Sequence, residues 1–385
     1  MAHLKLTLGG IPLYAPEITV LGALVFFVLS RKKMASPVGI DRVIWWSATL
    51  FLFGAGLTFF LNPWSLTGLG MLKSWFVFPF LFGWLVLQMC RTPQRERLVK
   101  ETALAVLTLI ALRSLYLAIT GEMTYDGRLS GDYSSPNFLA FLMVFGLALT
   151  FGLFEKRLSR GLCRFSLLFV VCMLGGTLLL TRSYGAILSV ALVALGWGLW
   201  YARHSLLRIM MVILLLSGTL GTWFLLEGGS DKWQSLVTLS ERSSFASREM
   251  IWRSAWHIAR ENPFGIGVGR FQDEYLSSQA FFPPFLEWAV PEPHNLVLAV
   301  FFAVGPIGLL GFLILLGRII ALLFQAQRST SQWPHQWLLV YWALFLLMGL
   351  LDTPLFKTDL SYLFALMLAL SLSPITKKLP EELSE

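Results

Sequence analysis

"PEPHNLVLAVFFAVGPIGLLGF" covers residues 291–312. After His294-Asn295 the chain runs apolar and uncharged as far as Gly317. A helix needs about 20 such residues to cross the roughly 30 Å hydrocarbon core of a bilayer. Runs of this kind recur along the chain, 56% of whose residues are hydrophobic and only 14% charged. A soluble domain has nearly twice that charged fraction. In a bilayer only helices and closed barrels satisfy every backbone polar group, and runs this long select helices. The expected fold is an all-α polytopic integral membrane protein, one membrane domain over residues 1–385. Eleven spans are expected: 13–30, 43–61, 74–90, 101–120, 136–154, 165–180, 184–200, 206–226, 295–317, 336–351 and 359–374. A re-entrant first segment would make the total about 12.

Alternate short loops hold most of the 30 basic residues, among them Arg31, Lys32, Lys33, Arg91, Arg95, Arg97, Lys156, Arg160 and Lys377. The positive-inside rule then puts the C-terminus in the cytoplasm and the N-terminus outside. Topology therefore accounts for the net charge of +8, and no nucleic-acid partner is implied. The first apolar run precedes its basic cluster, the reverse of a cleaved signal peptide. Cys90, Cys163 and Cys172 lie in or beside cytoplasmic-side segments and imply neither a disulfide framework nor a metal site. His204 and His335 read as cytoplasmic helix-end residues. No Asp-x-Asp, His-x-x-x-His or His-Glu-x-x-His pattern occurs, so neither a metal nor another cofactor is expected.

The sizeable extramembrane segment is the extracytoplasmic loop 227–293. It opens polar and Gly-rich, and a helix is expected from Ser247, as its N-cap, to about Glu261, ended by "NPFGIGVG". On a wheel of about 100° per residue, Ile251, Trp252, Ala255, Trp256, Ile258 and Ala259 share an apolar face, with Met250 off it. Arg248 falls inside that face. It either snorkels from the first turn or points inward at an anion or buried partner. Arg253 and Arg260 fall on the solvated or headgroup face. Arg182, in "LLLTRSYGAIL", sits at the outer boundary between two apolar runs, either as a snorkelling hairpin residue or as a functional charge. Arg113 lies within a span with no visible partner. Arg128, in "DGRLSGDYSSPNFLAFLM", either belongs to helix punctuation or adds to an outward-facing cationic pocket. His294 is either a helix-end residue or a base of near-neutral pKa. Arginine forks suit phosphate oxygens, and a lipid-linked diphosphate would sit at this depth.

His294-Asn295, nine residues, Gly305, two residues and Gly308 resemble the H-N-x9-G-x-x-G pattern of the bacterial O-antigen ligase and polymerase superfamily. "GRLSGDYSSPNFLAFL" (127–142), "TRSYGAIL" (181–188) and "SREMIWRSAWHIARENPFGIGVGRF" (247–271) are similar to that family's other segments, in the same order, over about residues 120–320. Ala303 departs from it, since the family often has Glu nine residues after the histidine. The resemblance implies a GT-C-like, metal-independent glycosyltransferase in the bacterial inner membrane, with its active site facing the periplasm. It implies an undecaprenyl-diphosphate-linked glycan donor and a lipid A-core acceptor. Arg182 and Arg248 would hold the diphosphate, and His294 would act as base or orient the acceptor hydroxyl. Arg128 and Asn295 are further candidates for substrate binding. A polymerase of the same superfamily is the alternative reading, and a lipid-linked glycan transporter is the alternative from another class.

Overall fold

The computed structural model describes residues 5–8, 11–30, 40–157, 161–230, 233–234, 237–238, 244–283, 287–288, 290–328 and 336–376. Arg31–Lys33, Arg160, Asp231, His335 and Lys377–Lys378 lie outside the described residues. The fold is almost wholly helical. The helices are α1 (Ala15–Ser30), α2 (Arg42–Leu61), α3 (Leu66–Leu72), α4 (Phe78–Met89), α5 (Pro93–Ile119), α6 (Pro136–Arg157), α7 (Gly161–Leu180), α8 (Tyr184–Ala202), α9 (Leu206–Glu227), α10 (Ser244–Glu261), α11 (Phe271–Ser277), α12 (Leu296–Arg328), α13 (Gln336–Leu351) and α14 (Thr358–Thr376). A π-helical turn, Lys73–Val77, joins α3 to α4. Each of the eleven expected spans coincides with a helix. Among the described residues, six stretches are long and apolar enough to cross a bilayer: Arg42–Leu61, Leu66–Met89, Pro93–Ile119, Pro136–Leu153, Tyr184–Ala202 and Leu296–Gln327. Four shorter apolar helices accompany them. The chain is an all-α, multi-pass membrane protein.

Ahead of α1 an antiparallel hairpin pairs Lys5–Leu8 with Ile11–Tyr14. The hairpin leads into α1, where fully buried Glu17 is paired with Lys73 of the π turn at 2.6 Å. One apolar core runs through α2, α4–α8 and α12–α14. A second, smaller core gathers α10, α11, Val290 and Phe302 at the outer end of α12.

α12 sets the geometry of that outer end. Gly305 has φ 66° and ψ −177° inside the helix, a conformation that Gly tolerates and other residues rarely adopt. Pro306 has no N–H to give to the carbonyl four residues back, that of Phe302. Phe302 O instead accepts from Ile266 N and Gly267 N, both at 3.0 Å. Ala303 O accepts from Thr58 Oγ1 of α2 at 2.7 Å. The expected Gly-Pro break is therefore real, and the carbonyls at the break anchor the "GIGVG" loop and α2. A Cβ on Gly265 (φ 84°) would lie 2.9 Å from Phe301 O, so the glycine allows this close approach.

Two expectations for the loop need correction. α10 begins at Ser244, three residues earlier than expected, so Ser247 is not its N-cap but a buried residue inside the first turns. The buried stripe is Ser247, Met250, Ile251, Ser254, Ala255 and Ile258. Met250 therefore faces inward. Trp256 is exposed, with the Arg260 guanidinium 5.4 Å from its ring centre. The two serines let α10 approach closely, and the tryptophan is large enough to turn outward and still cover apolar surface. α11 was not anticipated.

α2 and α12 pack backbone to backbone. A Cβ on Gly54 would lie 2.5 Å from Gly308 Cα and 2.5 Å from Val304 O, and one on Gly311 would lie 2.7 Å from Phe51 N. Gly54→Ala should therefore destabilise the protein by about 1–3 kcal/mol, as overpacking does. Gly56→Ala, which meets nothing within 4 Å, should be near neutral. Thermal melting of the purified variants checks this, and equal midpoints would count against the close approach.

Candidate functional site

Two non-glycine residues have positive φ among the described residues: Arg182 and His294, both at 47°. Such backbone persists only where its surroundings hold it. His294 lies between Pro293 and the start of α12. Its carbonyl accepts from Trp252 Nε1 of α10 at 3.4 Å. Its Nδ1 lies 3.0 Å from Asp352 Oδ1. Asn295, next to it, caps α12: its Oδ1 accepts from Val297 N at 3.0 Å and Leu298 N at 3.1 Å, while its Nδ2 donates to Leu350 O at 3.1 Å. The Asn295 side chain is thus spent on backbone, and what it supplies is the position of His294.

Asp352, just past the end of α13, is the centre of the site, and the sequence reading missed it. Its Oδ2 accepts from Asn137 Nδ2 of α6 at 2.5 Å. Its Oδ1 accepts from Thr353 N at 2.9 Å as well as facing His294. Burial pushes the carboxyl pKa up. The charges of His294 and Arg248, with hydrogen bonds from His294 and Thr353 N, outweigh burial and hold it below the ordinary aspartate range. Arg248 donates through Nε to Leu351 O at 2.8 Å and through Nη1 to Ser244 O at 3.2 Å. Of the two readings of Arg248, the structure takes the inward one.

Arg128 comes from the loop between α5 and α6. It donates to Thr181 O at 2.9 Å and to Asn137 Oδ1 at 2.9 Å. Burial lowers its pKa. Asp126 opposes this, Arg248 reinforces it, and Asp352 opposes it. The guanidinium remains charged, so it is a cation taken partly out of water beside a second cation. Arg128, Asn137, Ser183, Tyr184, Ser244, Arg248 and Asp352 are among the residues that line one cavity of about 80 Å³. That is several times what one water needs. Arg182 is one residue from its wall, with Nε 3.3 Å from Glu227 Oε2. The cavity joins two guanidiniums, hydroxyl and amide donors, and a carboxylate paired with a histidine. Such a set suits a multiply charged oxyanion next to an acid–base pair.

Residues 168–313 match the family model described as O-antigen ligase (Wzy_C). The match supports membership of the O-antigen ligase and polymerase superfamily. The matched stretch carries Arg182, Arg248 and His294. The other wall of the cavity, Arg128, Asn137 and Asp352, lies outside it. The chain matches no curated protein.

The remaining candidates fall elsewhere in the fold. Arg113 does have a partner, Asp132, at 3.4 Å on the exposed side of α5. Arg253 pairs with Glu249 at 2.6 Å and is 70% exposed, away from the cavity. Ala303, at the position where the family often has Glu, is buried, and its carbonyl holds α2. His204 Nε2 accepts from Arg203 at the far end of α8. Among the described residues, no three His, Cys, Asp or Glu side chains gather as metal ligands would.

Glu292, two residues before His294, is half-buried, and burial together with the nearby charge of Asp352 raises its pKa well above the ordinary glutamate value. A raised pKa means that the folded protein binds this proton more tightly than the unfolded chain does. The resulting stabilisation is complete below the ordinary value of about 4.3 and is lost as pH rises through the folded value. Glu292→Gln should therefore raise the melting midpoint by a few degrees at about pH 8 and leave it near wild type at about pH 4. The comparison is made on purified protein at both pH values. A gain confined to the acid side would contradict the sign.

Proposed function

We propose that the protein is an O-antigen ligase. It transfers a glycan from undecaprenyl diphosphate to a lipid A-core acceptor, at the periplasmic face of the bacterial inner membrane. One observation carries the reading: Arg128 and Arg248 converge on a single cavity beside the His294–Asp352 pair. The cavity lies at the end of the bundle that the positive-inside rule assigns to the outside. The glycosyl diphosphate would rest with its phosphates against the guanidiniums and its polyprenyl tail among the helices. Arg182 stands beside them.

An Asp352 carboxylate facing Nδ1 favours the tautomer with the proton on that nitrogen, leaving the lone pair on Nε2. The acceptor hydroxyl oxygen attacks the anomeric carbon, and its proton passes to His294 Nε2. The new C–O bond forms as the bond from the anomeric carbon to the diphosphate oxygen breaks. The electron pair leaves with undecaprenyl diphosphate. Attack opposite the leaving group inverts the linkage. The arginines stabilise the charge that builds on the departing diphosphate, so that oxygen needs no separate acid. Asp352 positions the imidazole and stabilises its cation.

Arg248→Ala and Arg128→Ala should each lower transfer by about 10²-fold or more. His294→Ala and Asp352→Asn should lower it by about 10²–10⁴-fold. The assay incubates purified protein with lipid-linked glycan, with and without lipid A-core. Near-wild-type turnover in well-folded variants would overturn the assignment. A single glycan block on lipid A-core identifies a ligase. A ladder of longer lipid-linked chains made without core would identify the polymerase of the same superfamily.

A further inference from the structure

Arg182 adjoins the cavity, yet its guanidinium already faces a carboxylate. It sits in the turn between α7 and α8, and its Nε lies 3.3 Å from Glu227 Oε2 at the outer end of α9. The Arg182 side chain is 36% exposed and that of Glu227 only 6%. Glu227 is also held by other donors: its Oε1 accepts from Tyr184 Oη at 2.8 Å and from Ser230 Oγ at 3.0 Å. On its other side the guanidinium reaches the turn that carries Arg128, since a Cβ on Gly127 would stand 3.7 Å from Arg182 Nη1. Ser183 and Tyr184, which follow Arg182, line the cavity wall.

We propose that Glu227 is the resident counter-ion of Arg182, holding its guanidinium until a diphosphate in the cavity displaces it. The proposal rests on reading the cavity as a diphosphate site, and adds to it a residue that sets affinity and release. The exchange is chemically balanced. Arg182 moves from one oxyanion to another, and no covalent bond changes. Glu227 keeps the Tyr184 and Ser230 hydroxyls, so it is not left as a buried carboxylate without donors. α9 leaves much of its side exposed, including Leu206, Leu207, Met210, Leu214 and Leu225. Its Glu227 end is fixed by Trp223, which packs against the core with its ring 5.3 Å from that of Tyr184, so the exchange is a swing of the half-exposed Arg182 side chain. The carboxylate has two effects on a bound diphosphate. It repels the anion, and it competes for Arg182. Both weaken donor binding, and both help to expel the diphosphate product after transfer.

The test measures binding of inorganic pyrophosphate to the full-length protein in nanodiscs by titration calorimetry, and donor KM and kcat in the transfer assay. Glu227→Gln keeps the shape and removes the charge. It should bind pyrophosphate several-fold more tightly, with donor KM and kcat both lowered. Glu227→Asp should return toward wild type, and Arg182→Ala with Glu227→Gln should lose the gain. Ser230→Ala, which removes one of the other donors on Glu227, should bind pyrophosphate more weakly, and it stands in if Glu227→Gln does not fold. A purely structural Glu227 would instead lower the melting midpoint and kcat and leave affinity unimproved. That result, a gain that persists without Arg182, or no pyrophosphate binding by wild type and variant alike, overturns the proposal. Transfer is read separately. Glu227-dependent affinity without transfer removes the ligase reading alone, and transfer with Glu227-independent affinity removes the counter-ion alone.

Discussion

The outer end of the bundle is organised around the Asp352 carboxylate. One oxygen faces His294 and the other takes the Asn137 amide, whose own oxygen takes Arg128. The backbone carbonyl before it, that of Leu351, takes Arg248. α6, α10, α13, the start of α12 and the loop before α6 thus meet through two consecutive residues, and Arg128 extends the chain to Thr181 at the end of α7. Removing this charge would leave two arginines near one another with less to offset them. It would also leave the imidazole without the partner that fixes its tautomer. On the proposed reading, charge stabilisation and proton transfer would therefore share one support.

That support needs α12 to begin in the right place, and the kink at Gly305–Pro306 provides for this. An unbroken helix would use the Phe302 carbonyl internally. The proline leaves it for Ile266 and Gly267, so the glycine loop seats on α12 and brings α10 down over the cavity with Arg248 facing in. Thr58 takes the next carbonyl and ties the same point to α2. The glycines at 305 and 308 in the quoted motif are thus structural: one permits the break, the other the close contact with Gly54. In this motif the side chain placed at the cavity's chemistry is the histidine.

The spans were legible because a bilayer demands a length of apolar sequence that few other structures need. Arg248 was legible because a charge within an apolar helical face needs a reason. The rotation of α10 differs from the expected one: Trp256 was placed on the apolar face and Met250 off it, whereas small residues permit close packing and a tryptophan works well at a boundary. Asp352 gave no local signal. It is a single acid after an apolar run, and its meaning comes from Asn137 and His294, which are 215 and 58 residues away in the chain. The strained backbone at Arg182 and His294 was equally silent, since neither is a residue type that announces a positive φ. Arg113 was ambiguous for the same reason, its partner being Asp132 in the following loop.

The arrangement of charge explains why the cavity suits an anion. Arg128 is largely buried, and Arg248 lies close enough to lower its pKa further. Two cations in such a place are unfavourable unless something negative joins them. Asp126, 3.8 Å from Arg128, and Asp352 offset part of that charge, and Asp352 is also engaged with His294. A diphosphate entering the cavity would meet the Arg128 and Arg248 guanidiniums where they already stand. On the proposed reading the same guanidiniums would favour a transition state in which negative charge grows on the departing phosphate. The self-paired charges Glu17–Lys73 and Glu96–Lys100 belong to the scaffold, whereas Arg128 and Arg248 line the cavity, where the proposed reading sets the phosphates.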